Sequence, residues 1–385
     1  MPEATRQRVL VVTRNLPPLV GGMERLNLHL VCALAEDREM AVVGPHGCRA
    51  SLPLPPRHVA EVPTRPLPLF LAKATALALL MAHRFRPDVV MAGSGLTAPL
   101  AWLAARLCGA RLVVYVHGLD LVVQSLPYRL GWLPAIRRAD LVIANSGNTR
   151  CLALARGVAA ERVAVLHPGT DLPAPDAAAR GRFRAAHCLG VAPLLLSVGR
   201  LTPRKGLAGF VEHALPAILR EIPDAKLVVI GADATDAARP RHDSERARIV
   251  EAARRASLAH AIVFLPPCDD VTLADAYQAA DVHVFPVRDL PGDVEGFGMV
   301  AVEAAAHGLP TVAFDVGGVA DAVLPGKTGV LVTAGDYTGF INAVVAKIRA
   351  RGALGDTCRQ AAAGFSWDRF GDRLRELLRW ESRHG

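Results

Sequence analysis

The sequence predicts an α/β protein made of two doubly wound domains, and three observations carry that reading. Short β-branched runs alternate with helical patterns in two successive series. At 385 residues the chain is too long for one ordinary hydrophobic core. Between the two series lies "GTDLPAPDAAARGRFRAAHCLGVAP" (169–193), rich in Pro, Ala and Gly and without a strand pattern.

The first series is "RVLVVT" (8–13), "AVVG" (41–44), "DVVMAG" (88–93), "RLVVYVHG" (111–118), "LVIANS" (141–146) and "RVAVLHPG" (162–169). The second is "PLLLSVGR" (193–200), "AKLVVIG" (225–231), "AIVFLP" (261–266), "DVHVFPV" (281–287), "PTVAFD" (310–315) and "TGVLV" (328–332). Nearly continuous apolar strands separated by helices predict parallel sheets covered on both faces. The expected boundaries are an N-terminal domain at 1–172, a linker at 173–189 and a C-terminal domain at 190–365. The tail "FSWDRFGDRLRELLRW" has Trp367, Phe370, Leu374, Leu377 and Leu378 at helical spacing, and a helix of about 366–385 is expected to pack back on the first domain.

Hydrophobic residues make up 51% and charged residues 21%, as expected of a globular chain with a large core. Seven scattered cysteines include no Cys-x-x-Cys pair, which argues against zinc ribbons and disulfide frameworks and fits a reducing compartment. The opening "MPEATRQRVLVV" lacks the pattern of a cleavable signal. The most hydrophobic stretch (67–86) is interrupted by Lys73 and reads as a core or surface helix. Charge is unevenly spread. Residues 1–190 hold 22 Lys and Arg against 12 Asp and Glu, net +10, whereas 191–385 hold 22 against 24, net −2. A basic half suits nucleic acid, an anionic membrane or a phosphorylated substrate, and serves plain solubility equally well.

Glycines and charges cluster where strands end, the place where open α/β sheets bind ligands. After the first strand, Gly21-Gly22 opens a helix. By itself the pair reads as a tight turn, and it does not have the Gly-x-Gly-x-x-Gly spacing of a dinucleotide site. His117 in "YVHGLD" (115–120) reads equally as a structural residue or a ligand contact. "SVGRLTPRKG" (197–206) places Arg200 and Lys205 before a helix, where paired cations would bind a diphosphate. "VEGFGMVAVEAAAHG" (294–308) holds Glu295 and Glu303. If helix covers most of that interval, their Cα atoms lie about 12 Å apart, too far for the two carboxyls of a glycosidase but suited to the two ends of one elongated ligand. Singly, Glu295 also reads as a capping carboxylate and Glu303 as a charge favoured by the helix dipole.

Together "PPLVGGMER", "VHGLD", "LHPGTD", "VGRLTPRKG", "ADVHVFP", "EGFGMVAVE" and "FSWDRF" resemble the retaining GT-B glycosyltransferases of family 4, nearly end to end. The resemblance implies two Rossmann-like domains facing each other across a cleft, with a nucleotide sugar on the second and the acceptor on the first. It implies that Glu295 and the backbone of Gly296, Phe297, Gly298 and Met299 hold the donor sugar, and that Glu303 holds the ribose. Arg200 and Lys205 would neutralise the diphosphate, Gly21 and Gly22 would touch it from the first domain, and His117 would sit near the anomeric carbon. The implied chemistry is front-face displacement with retention and no dedicated base. No Asp-x-Asp occurs, so neither metal nor other cofactor is expected. "HPGTD" (167–171) departs from the family's Asn-Gly-Val-Asp while keeping Gly169 and Asp171 in place.

GDP-mannose is the expected donor by family frequency, ahead of UDP-hexoses, and the acceptor a lipid-linked or polysaccharide-precursor saccharide. The basic first half then implies a cytoplasmic protein held peripherally on the inner, anionic membrane face through 67–86 and "PYRLGWLPAIRR" (127–138). A GT-B-fold epimerase or phosphorylase is the alternative. A basic nucleic-acid-binding protein is disfavoured, since aromatic residues are 5% and no recognition module appears.

Overall fold

The structure is a computed structural model describing residues 6–233 and 244–379. The chain divides into two compact units, 1–169 with 367–385 and 170–366.

Unit 1 holds β1 (Arg8–Val12), β2 (Glu39–Pro45), β3 (Val59–Val62), β4 (Val89–Ala92), β5 (Arg111–Val116), β6 (Leu141–Ala144) and β7 (Val163–Val165), in the order β3-β2-β1-β4-β5-β6-β7. Unit 2 holds β8 (Leu194–Val198), β9 (Lys226–Ile230), β10 (Ile262–Leu265), β11 (Val282–Phe285), β12 (Thr311–Phe314) and β13 (Gly329–Val332), in the order β10-β9-β8-β11-β12-β13. Every pairing is parallel, as fully apolar strands with helical crossovers require. β3, "VAEV", was not anticipated; it is a four-residue edge strand with half-buried Ala60 and Glu61, too short and too mixed to stand out.

Each unit reverses strand order beside its first strand, β1/β4 in unit 1 and β8/β11 in unit 2, so each sheet has its switch point there. The loops leaving the carboxyl ends of β8 and β11 carry Arg200, Lys205 and Glu295. Those leaving β4 and β5 carry Gly93 and His117.

One expectation needs correction. The segment 173–189 is no free linker: it carries the helix Ala179–Ala186, packed on the helix Asp270–Ala279 within unit 2. Arg182 in that helix binds both oxygens of Asp275 at 2.9 and 2.6 Å, and buried Phe183 joins a core cluster with Tyr277. Its Arg-rich composition hides these contacts from a reading of composition alone. The stretch 67–86 is a helix as expected, Leu67–Phe85, although by length and composition it is apolar enough to cross a membrane. Phe70, Ala74, Ala78, Ala82 and Phe85 form one buried stripe against the unit 1 sheet, while Leu67, Leu69 and Leu80 stay exposed.

The helix Trp367–Leu378 closes unit 1 by packing on the helix Gly22–Ala35; residues 380–385 of the expected tail lie outside the described residues. Trp367 stacks flat on His29 with centroids 3.8 Å apart. Arg375 Nη1 donates to the Ala33 carbonyl at 2.8 Å, and Phe370, Leu374 and Leu378 enter the core beneath β1 and β2. Gly169 lies against the Trp367 ring so closely that a Cβ there would collide with it, which gives "HPGTD" a packing role. We expect Leu374→Ala to destabilise unit 1 by about 2–5 kcal/mol, read as a lower midpoint in chemical denaturation.

Candidate active site

In unit 2 the loop after β8 and the loop after β11 are tied together by charge. Glu295 Oε2 accepts from Lys205 Nζ at 2.8 Å and from Arg204 Nε at 3.2 Å. Arg204 Nη1 also donates to Asp293 Oδ1 at 2.5 Å. All four side chains are at most 18% exposed. Burial works against charge on Glu295, but Lys205 and Arg204 outweigh it and hold the carboxyl below its usual range. Burial also pulls the Lys205 ammonium down, and Glu295 offsets part of that. Two cations and two carboxylates make the group nearly neutral, the condition under which such charges survive out of water. Lys205 Nζ also lies 4.6 Å from the centre of the Phe285 ring.

Backbone geometry fixes this loop pair. Gly206 has φ +71°, and a Cβ there would strike the Pro286 carbonyl; the Arg288 N–H donates to the Arg204 carbonyl at 2.8 Å. On the other side the Gly318 N–H donates to the Glu295 carbonyl at 2.9 Å. A Cβ on Gly317 or Gly318 would run into the carbonyl of Glu295 or of Gly296. Gly298, at φ +97°, is the N-cap of the helix Met299–Ala306 and supplies no side-chain cap bond.

The placement of the anticipated residues is mixed. Lys205 and Glu295 come together, with Gly296, Phe297, Gly298 and Met299 alongside. Arg200 takes no part in that pairing: it is exposed and makes no hydrogen bond or ion pair with a described residue. The helix begins only at Met299, so residues 295–298 are loop and the 12 Å spacing, which assumed helix over most of the interval, does not apply. Glu303 is half-buried and accepts from the Tyr277 hydroxyl at 3.1 Å; Tyr277 in turn stacks on His307.

In unit 1 the imidazole of His117 is buried, and its Nε2 lies 2.9 Å from the Gly93 carbonyl. A carbonyl only accepts, so Nε2 carries a proton, and in the neutral imidazole the lone pair is then on Nδ1. The His117 N–H donates to Asp120 Oδ2 at 3.0 Å. Gly21 precedes the helix Gly22–Ala35, whose N-terminus has no side-chain cap; a Cβ on Gly21 would meet the Glu24 carboxylate, itself bound by Asn15 Nδ2 at 2.7 Å.

Sequence reasoning missed Arg204, Asp293, Tyr277 and the Gly317-Gly318 pair. Arg204 adjoins Lys205 in "TPRKG", and Asp293 is two residues from Glu295, so their proximity in sequence was the available signal. Tyr277 and the glycine pair leave no such mark.

A family model described as "Glycosyltransferase Family 4" matches residues 20–173, and one described as "Glycosyl transferases group 1" matches 192–349. A GDP-mannose-dependent alpha-(1-6)-phosphatidylinositol monomannoside mannosyltransferase of Mycolicibacterium smegmatis is 33% identical, covering 96% of this chain and 98% of that protein. The D-inositol 3-phosphate glycosyltransferase 1 of Catenulispora acidiphila is 32% identical, covering 93% and 91%. Among solved structures, Anabaena HepE in complex with UDP and glucose superposes with TM-score 0.79 at 20% identity, covering 97% of this chain and 99% of that one.

His283 on β11 lies beside this network, fully buried, with Nδ1 3.0 Å from Thr311 Oγ1 and no partner on Nε2. Burial, then the Lys205 charge, push its pKa down to about 3. The folded value lies below the unfolded one, so the stability that neutral His283 contributes is complete above the ordinary imidazole value of 6.5 and is lost as pH falls toward about 3. Wild-type unfolding free energy should fall across that window, and His283→Phe should flatten the slope by up to about 1.4 kcal/mol per pH unit, measured by denaturant titration at several pH values.

Proposed function

Because this chain belongs to glycosyltransferase family 4 and is a glycosyltransferase that uses a nucleotide sugar, we propose that it moves a mannose- or glucose-type hexose, with retention and without a metal, onto a lipid-linked or polysaccharide-precursor acceptor. GDP-mannose is the proposed donor, in line with the names of relatives at 32–33% identity.

The observation that carries this reading is the Arg204–Glu295–Lys205 pairing at the carboxyl ends of β8 and β11, with Arg200 left uncommitted beside it. Oε2 of Glu295 is held by both cations, and Oε1 accepts no bond from a described residue, which leaves it to bind donor-sugar hydroxyls. The N-terminus of Met299–Ala306, whose cap residue Gly298 brings no side chain, suits a diphosphate. Glu303, oriented by Tyr277, holds the ribose hydroxyls.

The acceptor oxygen bonds to the anomeric carbon on the face from which the phosphate oxygen departs. The C–O bond to phosphate breaks with its electron pair going to the nucleoside diphosphate, and the acceptor proton passes to a leaving phosphate oxygen. Arg200 and Lys205 stabilise the negative charge that grows there, doing what a metal would otherwise do. His117, whose protonated Nε2 is tied to Gly93, offers a fixed lone pair on Nδ1 and positions sugar hydroxyls in place of acting as the base.

In this reading unit 1 binds the acceptor, and the enzyme works in the cytoplasm, peripherally on the inner membrane face, with no nucleic-acid partner. Unit 1 carries 24 Lys and Arg against 14 Asp and Glu, net +10. Its helices Leu67–Phe85, Ala98–Cys108 and Leu126–Gly131 expose Leu80, Leu107, Leu126 and Leu130 near Lys73, Arg106 and Arg129. Apolar side chains among cations match an anionic interface.

Assay against a panel of GDP-, UDP- and ADP-sugars should give product from a GDP- or UDP-hexose, undiminished by excess EDTA. Arg200→Ala should lower turnover by about 2–4 kcal/mol of transition-state stabilisation without changing the melting temperature, whereas Arg204→Ala should lower both. Full activity of Arg200→Ala would refute its role at the diphosphate. Flotation with liposomes should show binding that requires anionic lipid and weakens with salt; equal binding to neutral vesicles would overturn the membrane reading.

A further inference from the structure

Unit 2 has a second concave site, at the opposite end of its sheet from Glu295. A cavity of about 610 Å³ lies beneath the amino ends of β11 and β12, where Asp281 and Pro310 enter those strands. Its volume is in the range of small-molecule pockets. Unit 2 as a whole carries 20 Lys and Arg against 22 Asp and Glu, yet cations gather at this one place.

The arrangement centres on Asp281, whose side chain is 1% exposed. Three guanidinium groups converge on that single carboxylate: Arg180 at 3.0 Å, Arg184 at 3.3 Å and Arg351 at 3.0 Å. Asp281 Oδ2 also accepts from the Leu194 N–H at 2.7 Å. One negative charge cannot offset three positive ones. Burial and then the charge of Arg180 hold the Arg184 guanidinium below its usual range, as expected of crowded cations. Lys347 and Arg359 complete the wall. Lys347 is half-buried and has no ion pair with a described residue, and Arg359 pairs at 2.6 Å with Asp356, whose side chain is fully exposed. Asp176 also lines the cavity and pairs at 2.6 Å with Arg182, which it shares with Asp275. Of the residues that line the cavity, Arg180, Lys347, Arg351 and Arg359 stand against Asp176 and Asp281, so the site holds an excess of two positive charges.

We propose that this cavity is a binding site for a phosphate-bearing anion of two or more negative charges, separate from the donor site. Arg180 and Arg351 are 37% and 47% exposed and keep donors free beyond Asp281, in the planar geometry that grips phosphate. Lys347 adds a point charge from the last turn of the helix Tyr337–Arg349. An open cationic bowl of this size fits a phosphorylated metabolite or a phosphorylated lipid headgroup, and these two sources share the same recognition chemistry.

The test uses the full chain and two probes, inorganic diphosphate in isothermal titration and vesicles containing a phosphorylated inositol lipid in co-sedimentation. Two variants avoid the donor site. Lys347→Ala with Arg351→Ala removes cations, and Ala350→Glu places a carboxylate on the exposed rim without removing any contact. Both should abolish one equivalent of diphosphate binding, or weaken it at least tenfold, while turnover with the donor panel stays within twofold. Loss of vesicle binding in Ala350→Glu with free diphosphate unaffected supports the site with a headgroup as its ligand. Unchanged diphosphate stoichiometry and unchanged vesicle binding in both variants would overturn the proposal. Because the readout is binding, failure of the donor assignment would leave this result interpretable.

Discussion

The buried carboxylate of Glu295 is the constraint on which unit 2 is organised. A charged group at that depth persists only if opposite charge arrives from elsewhere in the fold. Lys205 and Arg204 supply it from a loop about 90 residues away in sequence, and Asp293 balances the second cation. For those groups to meet, β8 and β11 must be neighbours, and they are, at the point where the strand order reverses. The glycines follow from the same requirement. Gly206 lets one loop lie against the Pro286 carbonyl, and Gly317 and Gly318 let another lie against Glu295 and Gly296.

This arrangement separates two roles that a pair of cations could have shared. Arg204 is committed to Asp293 and Glu295, so its removal would leave buried carboxylates unpaired. Arg200 is uncommitted and exposed, free to meet an anion. Lys205 stands between, bonded once to Glu295 and resting over Phe285. Opposite, under the amino ends of the strands, Asp281 shows the reverse imbalance, with one carboxylate facing three guanidinium groups. Charge in unit 2 is thus locally closed at one end of the sheet and open at the other.

Much of this was legible in the residues. Twelve of the thirteen strands announce themselves as β-branched runs, because strands buried on both faces have no polar positions to interrupt them. β3 escaped notice because Ala60 and the charged Glu61 break its apolar run after a single valine. Lys205, Glu295 and Gly298 were visible because strand ends and helix starts concentrate ligand contacts. Arg204, Tyr277 and the Gly317-Gly318 pair were not, since their roles come from partners distant in sequence. The helix Ala179–Ala186 was hidden for a like reason: its arginines look solvated until Asp275 and Asp281 are placed against them.

By itself, then, the sequence determined the α/β class, the two units, the family resemblance and the location of chemistry at strand ends, because periodicity and glycine placement are local properties. Only the tertiary structure decided which cation belongs to Glu295, where the helix behind it begins, and that Asp281 is outnumbered by arginines. Those outcomes depend on burial and on distances between loops that the chain brings together only on folding, and electrostatic energies depend on just those two quantities.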